Sequence, residues 1–543
     1  MLRPRTAAVA SLLLIPMVAG GFFLQQTPAR ATPRLFDQVL SIVASRYVDS
    51  LQSPEVFEKA ARGLVRELND PYSELLAPRQ SEEFNRSTGG RYGGVGMLLE
   101  EQKSGALTSI VVSRVFPHTP AEDGGVHEGD RIVRVDSLPT ADAKIDKVSD
   151  ALRGVAGTSV HVTFQRPGVV EPVKLSFKRA IIHVPAVPYV TMVGDRIGYI
   201  PLQTFNENTA DEVEAAAAKL VQEGARGLVL DLRDNGVGIV EQALAVSSLF
   251  LKNGQPIVNV RSRNAPDEIA RASSEQLPSQ PPLVVLTDGG TASASEIVAG
   301  ALQDHDRALV LGTTSYGKGL VQSLFPLDGG YALKITTGKW YTPSGRSIHR
   351  ERKLLADGRF VETRPDSLEK ESQKKSRPTY VSDGGRVVYG GGGITPDVIV
   401  SDDTLLTTEQ EFLRSLAPKA QSFVTVLNQY AFELASVAPR DFSITPGWRA
   451  ELRRRLATAG IVVDSKFEPA ANRILDRELD RRLSRLVLGD AGARQRSAVD
   501  DQQLARAIAL LSGARSQDAL FAAGRTSVGS AASVNAAVKP DRN

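Results

Sequence analysis

Cysteine is absent from all 543 residues. The chain therefore holds no disulfide, no thiolate nucleophile and no Cys-ligated metal. Histidine is scarce, six in all, and none sits in a recognisable triad context. No G-x-S-x-G elbow occurs either, so a serine served by histidine is not written into this sequence. An excess of one charge is missing too: 65 Lys and Arg face 62 Asp and Glu. That balance offers no basic face broad enough for nucleic acid, which is excluded as a partner. What is present is length, enough for two to four domains.

The chain opens with Arg3 and Arg5, an uncharged apolar stretch from Thr6 to Leu24, and "ARA" at Ala29 to Ala31. This pattern predicts an export signal over 1–31, cleaved after Ala31 or kept as a membrane anchor. The bulk of the chain is then expected outside the cytoplasm, in a bacterial periplasm or cell envelope. Helical spacing over 32–90 predicts a small helical region, broken by "NDPYS" at Asn69 to Ser73. Over 91–181 the texture turns to five short β-rich runs with one helix at "KVSDALRGV". Strand and helix then alternate through 182–400, which predicts an α/β core built from right-handed β-α-β crossovers. Within it, 350–385 is charge-rich and reads as a solvated loop. Helical periodicity returns over 401–520, and 521–543 reads as a disordered tail.

Chemistry concentrates in "TASASEIVAG", Thr291 to Gly300. Ser293 followed by Glu296 fits a capping box before an apolar helix, and taken alone that reading dominates. A nucleophilic reading needs a base, and Lys318 in "TSYGKGLVQ" is the candidate. Lysine activates a serine only when neutral, which burial and the lack of a carboxylate partner favour. Gly317 and Gly319 permit close backbone approach, and Gln322, four residues on, could orient the amine without charging it. "GTTSYGKG" also approaches the phosphate-binding loop, but Gly319 stands where Ser or Thr should hold magnesium, and a strand is expected next.

The line from "DGGTASASEIVAG" through "GTTSYGKGLVQSLF" to "YTPSGRSI" resembles the catalytic core of the carboxyl-terminal processing (tail-specific) proteases, serine peptidases with a Ser-Lys dyad. "NDPYSELLAP", "RYGGVGMLL" and "GGGGITPDV" extend the resemblance over roughly residues 35 to 400. It implies Ser293 as nucleophile and Lys318, 25 residues on, as base, with Gln322 orienting the base. It also implies an oxyanion hole from the N–H groups of Ala294 and of the Val237/Gly238 turn. The fold implied is the family's α/β core, related to the crotonase and Clp protease folds, with an inserted β-rich PDZ domain and helical regions at both ends. "VFPHTPAEDGGVHEGDRIVRVD" resembles a PDZ domain, whose "GGVGM" loop, Gly94, Val95, Gly96 and Met97, would receive a peptide's C-terminal carboxylate.

Resemblance thus implies an exported serine endopeptidase that captures apolar C-terminal tails of proteins and cleaves them. It implies no metal or organic cofactor, homodimerisation, and regulation by PDZ movement or a helical-repeat adaptor protein. One departure stands out: the family's D-L-R-x-N-P-G-G reads "DLRDNGVG" here, Asp231 to Gly238, with Val237 for the first glycine of the pair. A β-branched residue does not take the positive φ open to glycine. The alternative reading drawn from it is a catalytically weak or inactive PDZ adaptor that binds protein tails.

Overall fold

The computed structural model describes residues 32–526 apart from 50, 105–106, 142, 167, 237, 264, 274–275, 356–359, 363–376 and 402–404. The predicted signal and most of the predicted tail lie outside the described residues. The chain divides into two units, residues up to Ser81 with Gln322–Thr336, and Glu82–Val321 with the chain from Thr337 onward.

In the smaller unit, helices α1 (Thr32–Arg46) and α2 (Ser53–Arg66) precede strand β1 (Glu74–Leu76), which pairs antiparallel with 332–334. Asn69 takes a left-handed φ of 54°, and the Asp70 carboxylate accepts from the Tyr72 N–H and Ser73 Oγ. This side-chain turn stops the second helix where "NDPYS" predicts. Leu35, Phe36, Val39 and Ile42 of α1, and Phe57 and Leu64 of α2, are exposed.

Helix α3 (Pro78–Gly89) carries the chain into the larger unit. Strand β2 (Arg91–Gly94) is followed by the antiparallel sheet of β3 (Met97–Ser104), β4 (Leu107–Val115), β5 (Arg131–Val135), β6 (Ser159–Gln165) and β7 (Val173–Lys178). These are the five predicted strands. Alternation puts Val160, Val162 and Phe164 of β6 inside, beneath helix α4 (Ile145–Leu152), whose Val148 and Leu152 share that core. Strand β8 (Ala180–His183) returns to pair with β2, so β3 is left as a terminal strand of its sheet.

The core sheet runs β9 (Thr191–Val193), β10 (Ile197–Pro201), β11 (Gly227–Asp231), β12 (Leu283–Thr287), β13 (Leu309–Gly312) and β14 (Val398–Ile399), in that order and parallel after the first pair. Strands β10 to β13 are buried along their whole length. Such continuous apolar runs need cover on both faces. Helices α5 (Thr209–Gln222), α6 (Val240–Phe250) and α7 (Ala294–Asp304) pack on one, meeting Leu228, Leu230 and Val285.

The other face is covered from far along the chain. Helices α8 (Thr407–Leu416), α9 (Ala420–Ala435), α10 (Pro446–Thr458) and α11 (Glu468–Ser497) form a bundle with its own core. Then α12 (Gln502–Gly513) and a helix over 517–526 lay Leu504, Leu511, Leu520 and Phe521 against Val229, Val284 and Leu286. Two expected boundaries are corrected: the α/β core does not end at 400, and order continues past 521. The 350–385 segment is corrected in part as well. Arg350 and Arg377 are buried, and the Gly392 carbonyl accepts from the guanidinium of each.

Candidate active site

Strand β12 ends at Thr287, and a tight turn leads into α7, all of whose residues are buried. Ser293 is the N-cap, with φ 56° and ψ −112°. That conformation lies outside the regions open to ordinary residues, the kind of strained strand-to-helix turn that projects a nucleophile. The neighbouring hydroxyls are committed elsewhere: Thr291 Oγ1 donates to the Leu232 carbonyl and Ser295 Oγ to the Asn235 carbonyl, both at 2.9 Å. Among the described residues Ser293 Oγ donates to no main-chain carbonyl. Its neighbour Ala294 opens the helix, so the Ala294 N–H is one of the donors that a helix start leaves without an intrahelical partner.

Glu296 joins this turn to the lysine loop. It is wholly buried, and its Oε2 accepts the Ser293 N–H and the Lys318 N–H, each at 2.9 Å. Its Oε1 accepts the Gly317 N–H at 2.7 Å and Ser315 Oγ at 2.5 Å. The capping box is thus present, and it serves a larger purpose. Burial pushes the Glu296 carboxyl above its ordinary pKa, against the pull of the four donors. Lys318 itself is half-buried; its carbonyl accepts Trp340 Nε1 at 3.1 Å. Strand Leu320–Pro326 follows, where a phosphate-binding loop would open a helix.

The "DLRDN" loop is stitched to the serine turn from the other side. The Asn235 carbonyl accepts the Ala292 N–H at 3.0 Å as well as Ser295 Oγ, and the Asp234 N–H donates to Asp288 Oδ1 at 3.0 Å. Val237 lies outside the described residues. Gly238 forms a parallel bridge with Phe205, and a Cβ there would stand 2.1 Å from Phe205 Cβ. Close approach, rather than positive φ, demands glycine at this position. Beneath the loop, Arg233 pairs with Asp231 at 2.7 Å and with Asp501, the N-cap of α12, at 2.8 Å. Tyr199 OH adds a bond to Asp231 at 2.7 Å.

Gln322 belongs to the smaller unit. Its Nε2 donates to Thr336 Oγ1 at 3.3 Å, and Thr336 Oγ1 donates in turn to Asp70 Oδ2 at 2.5 Å. The amide is thereby oriented, with its nitrogen end engaged.

A groove of about 350 Å³ lies between β3 and α4. The predicted loop residues Gly94, Val95, Gly96 and Met97 all line it. The Val95 carbonyl accepts the Ala121 N–H and the Gly96 carbonyl accepts the Phe116 N–H. Among the described residues the Val95 and Gly96 N–H groups donate to no protein acceptor. Gly96 has φ 92°, and a Cβ there would meet the Thr119 side chain at 2.3 Å.

Residue patterns alone did not reveal that Glu296 receives Gly317 and Lys318, that the Asn235 carbonyl anchors the serine turn, or that Asp501 buttresses Arg233. For Glu296 the spacing to Ser293 was a visible signal; for the others none is local.

Residues 196–357 match Peptidase family S41, and residues 111–166 match the PDZ domain. The carboxy-terminal-processing protease of Bartonella bacilliformis is 38% identical over 318 residues, covering 58% of this chain and 71% of that protein. Carboxy-terminal processing protease CtpA of Bacillus subtilis is 33% identical over 349 residues, covering 64% and 73%. A solved photosystem II D1 C-terminal processing protease is 31% identical, with a TM-score of 0.34, over 56% of this chain and 82% of that one. The serine turn, the lysine loop and the β module thus sit in a chain that belongs to the carboxy-terminal processing proteases, serine peptidases of family S41 with a PDZ domain.

Proposed function

We propose that this protease is an exported endopeptidase that takes up protein chains by their apolar C-terminal tails and cleaves them with a Ser293–Lys318 dyad. Ser293 Oγ attacks the scissile carbonyl carbon while neutral Lys318 takes its proton. The N–H of Ala294 and those of the Val237/Gly238 turn hold the oxyanion. Collapse breaks the C–N bond, and the leaving amine takes the proton from Lys318. Water then attacks the acyl-enzyme, giving its proton to the same amine group, and the ester C–O bond breaks as Ser293 Oγ takes that proton back from Lys318. Gln322, four residues after Lys318, is assigned the task of orienting that amine.

The observation that carries this reading is the single oxygen, Glu296 Oε2, on which the amides of Ser293 and Lys318 converge. Tail capture draws support from the open groove along β3 and its two unengaged N–H groups. Export draws support from the arginines and apolar stretch of the N-terminus, and homodimerisation from the exposed apolar faces of α1 and α2.

The test is cleavage of an unfolded protein ending in an apolar tail, by wild type, Ser293→Ala and Lys318→Ala across pH. Activity lost in both variants, with a wild-type rate that rises as a lysine deprotonates, is the expected result. Tail binding without cleavage by wild type would replace the protease reading with that of a PDZ adaptor.

A further inference from the structure

The groove along β3 stops before that strand does. Met97, Leu98 and Leu99 line it, and the later residues of the strand do not. Where the groove ends, the strand is met by α9, part of the helical bundle that lies outside both family matches. We propose that Gln421 of α9 closes the open edge of β3 at Glu101, so that the C-terminal bundle sets the point at which a captured tail must leave the strand. The inference rests on the tail-capture reading above and gives the bundle a part in it, the length of tail that is read.

The register of the sheet identifies the main-chain groups on that edge. Val112 donates its N–H to the Asp130 carbonyl at 2.8 Å and accepts the Gly129 N–H at 2.7 Å, so its main-chain groups turn away from β3. Ile110, two residues earlier on the same strand, points the same way. Their partners across the β3–β4 ladder are Leu99 and Glu101. Opposed residues of an antiparallel pair either bond each other or both face outward. The main-chain groups of Leu99 and Glu101 therefore face the open edge. At Glu101 that edge is taken, because Gln421 Nε2 donates to its carbonyl at 3.1 Å. The Glu101 side chain closes the groove as well: Oε1 accepts the Ile145 N–H at 3.0 Å and so ties β3 to the first residue of α4, the opposite wall.

Gln421 is not what holds the bundle against the sheet. Asp490 of α11 meets Arg114 at 3.3 Å, Arg485 meets Glu128 at 3.5 Å, and Phe432 of α9 packs so near Gly129 that a Cβ there would come within 2.9 Å of its ring. A docked helix thus delivers the Gln421 amide, which is exposed and stands in the first turn of α9. A helix laid over a strand edge prevents further strands from pairing with it. Here the cover is partial. A tail running antiparallel to β3 finds Leu99 open, and at Glu101 its own N–H competes with an amide already in place.

The test uses the full chain carrying Ser293→Ala, so that bound peptide is not cut, and two fluorescent apolar peptides with the same C-terminal sequence. One has about four residues and reaches no further than Leu99; the other has about eight and runs past Glu101. Fluorescence anisotropy is expected to give equal affinities for the two. Gln421→Ala should leave the short peptide unchanged and tighten the long one about fivefold, the effect of one added hydrogen bond. N-methylation of the long peptide at the amide facing Glu101 should cancel that gain and change nothing while Gln421 is present. Gln421→Lys keeps a donor on a flexible stem and should hold the two affinities equal. A long peptide that binds more tightly with Gln421 present, and loses the advantage on N-methylation, would overturn the proposal while leaving tail capture standing. So would a Gln421→Ala protein that binds both peptides equally. Binding of neither peptide by any variant would remove tail capture itself, and the proposal with it.

Discussion

The main-chain amides of Ser293 and Lys318 donate to one atom, Oε2 of Glu296, each at 2.9 Å. Residues 25 positions apart in the chain are thereby held by a single buried carboxylate, whose other oxygen takes Gly317 and Ser315. Glu296 thus holds the main chain that carries the proposed dyad and touches neither reacting atom. Several consequences can be measured.

Glu296→Gln replaces one acceptor oxygen with an NH₂ that must face two N–H donors. Rotation of the amide merely exchanges which pair is opposed. Loss of about a hundredfold in kcat is expected, as when catalytic groups shift by an ångström. Thermal unfolding separates this from collapse of the fold, since the variant should still unfold cooperatively.

The same carboxyl predicts how acid acts. Its folded-state pKa is raised above 4.5 by burial. Its contribution to stability is therefore fully present below the unfolded value and is lost as pH rises through the folded one. Protonation at low pH turns an acceptor into a donor against the Ser293 and Lys318 amides, so activity should fall with acid while this group is not driving unfolding. Rate and far-UV circular dichroism, recorded together on lowering the pH, should separate, activity falling first. Coincident loss would show that Glu296 ionisation does not set the acid limb.

Asp501 and Asp231 behave in the opposite sense. Burial opposes their ionisation, yet the Arg233 guanidinium between them holds both below the ordinary value of 3.8. Their stabilisation is present above that value and is lost as pH falls through the depressed folded-state pKa values. Asp501→Asn should cost about 2 kcal/mol near neutral pH, a typical figure for a hydrogen bond to a charged group. It should also flatten the decline of stability below about pH 3.8. Denaturant unfolding of both proteins at several pH values checks this, and curves that stay parallel would deny Asp501 the role.

How much of this was legible beforehand depended on how local the cause was. The PDZ strands alternate at period two and were readable one by one; the "NDPYS" turn is built by Asp70 acting on residues two and three ahead. Ser293 and Lys318 stood out because residue types and spacing resemble those of a known family. The cover of the second sheet face by α12 had no such sign, because Val229 and Leu511 meet across almost 300 residues of chain. That both faces of β11 were apolar was visible, but not which later helix would use the second. Positive φ was the part expected of the family's first glycine, the position Val237 holds; what demands glycine at Gly238 is its close approach to Phe205, a contact with a distant segment that no local pattern announces.

That contact yields the last prediction. Gly238→Ala places a Cβ 2.1 Å from Phe205 Cβ and 2.9 Å from its Cα, and the Phe205 main chain cannot retreat freely because its carbonyl accepts the Ile239 N–H at 3.0 Å. Gly236→Ala, two residues earlier, meets only the Gly290 carbonyl at 3.3 Å. The first substitution should therefore displace the loop that carries the proposed oxyanion donors and lower kcat about a hundredfold, with KM for an apolar-tailed substrate little changed because the tail groove is distant in sequence and built from other strands. The second should cost far less. Equal effects of the two would mean that the loop tolerates movement at Gly238, and that oxyanion stabilisation comes chiefly from the Ala294 amide at the start of α7.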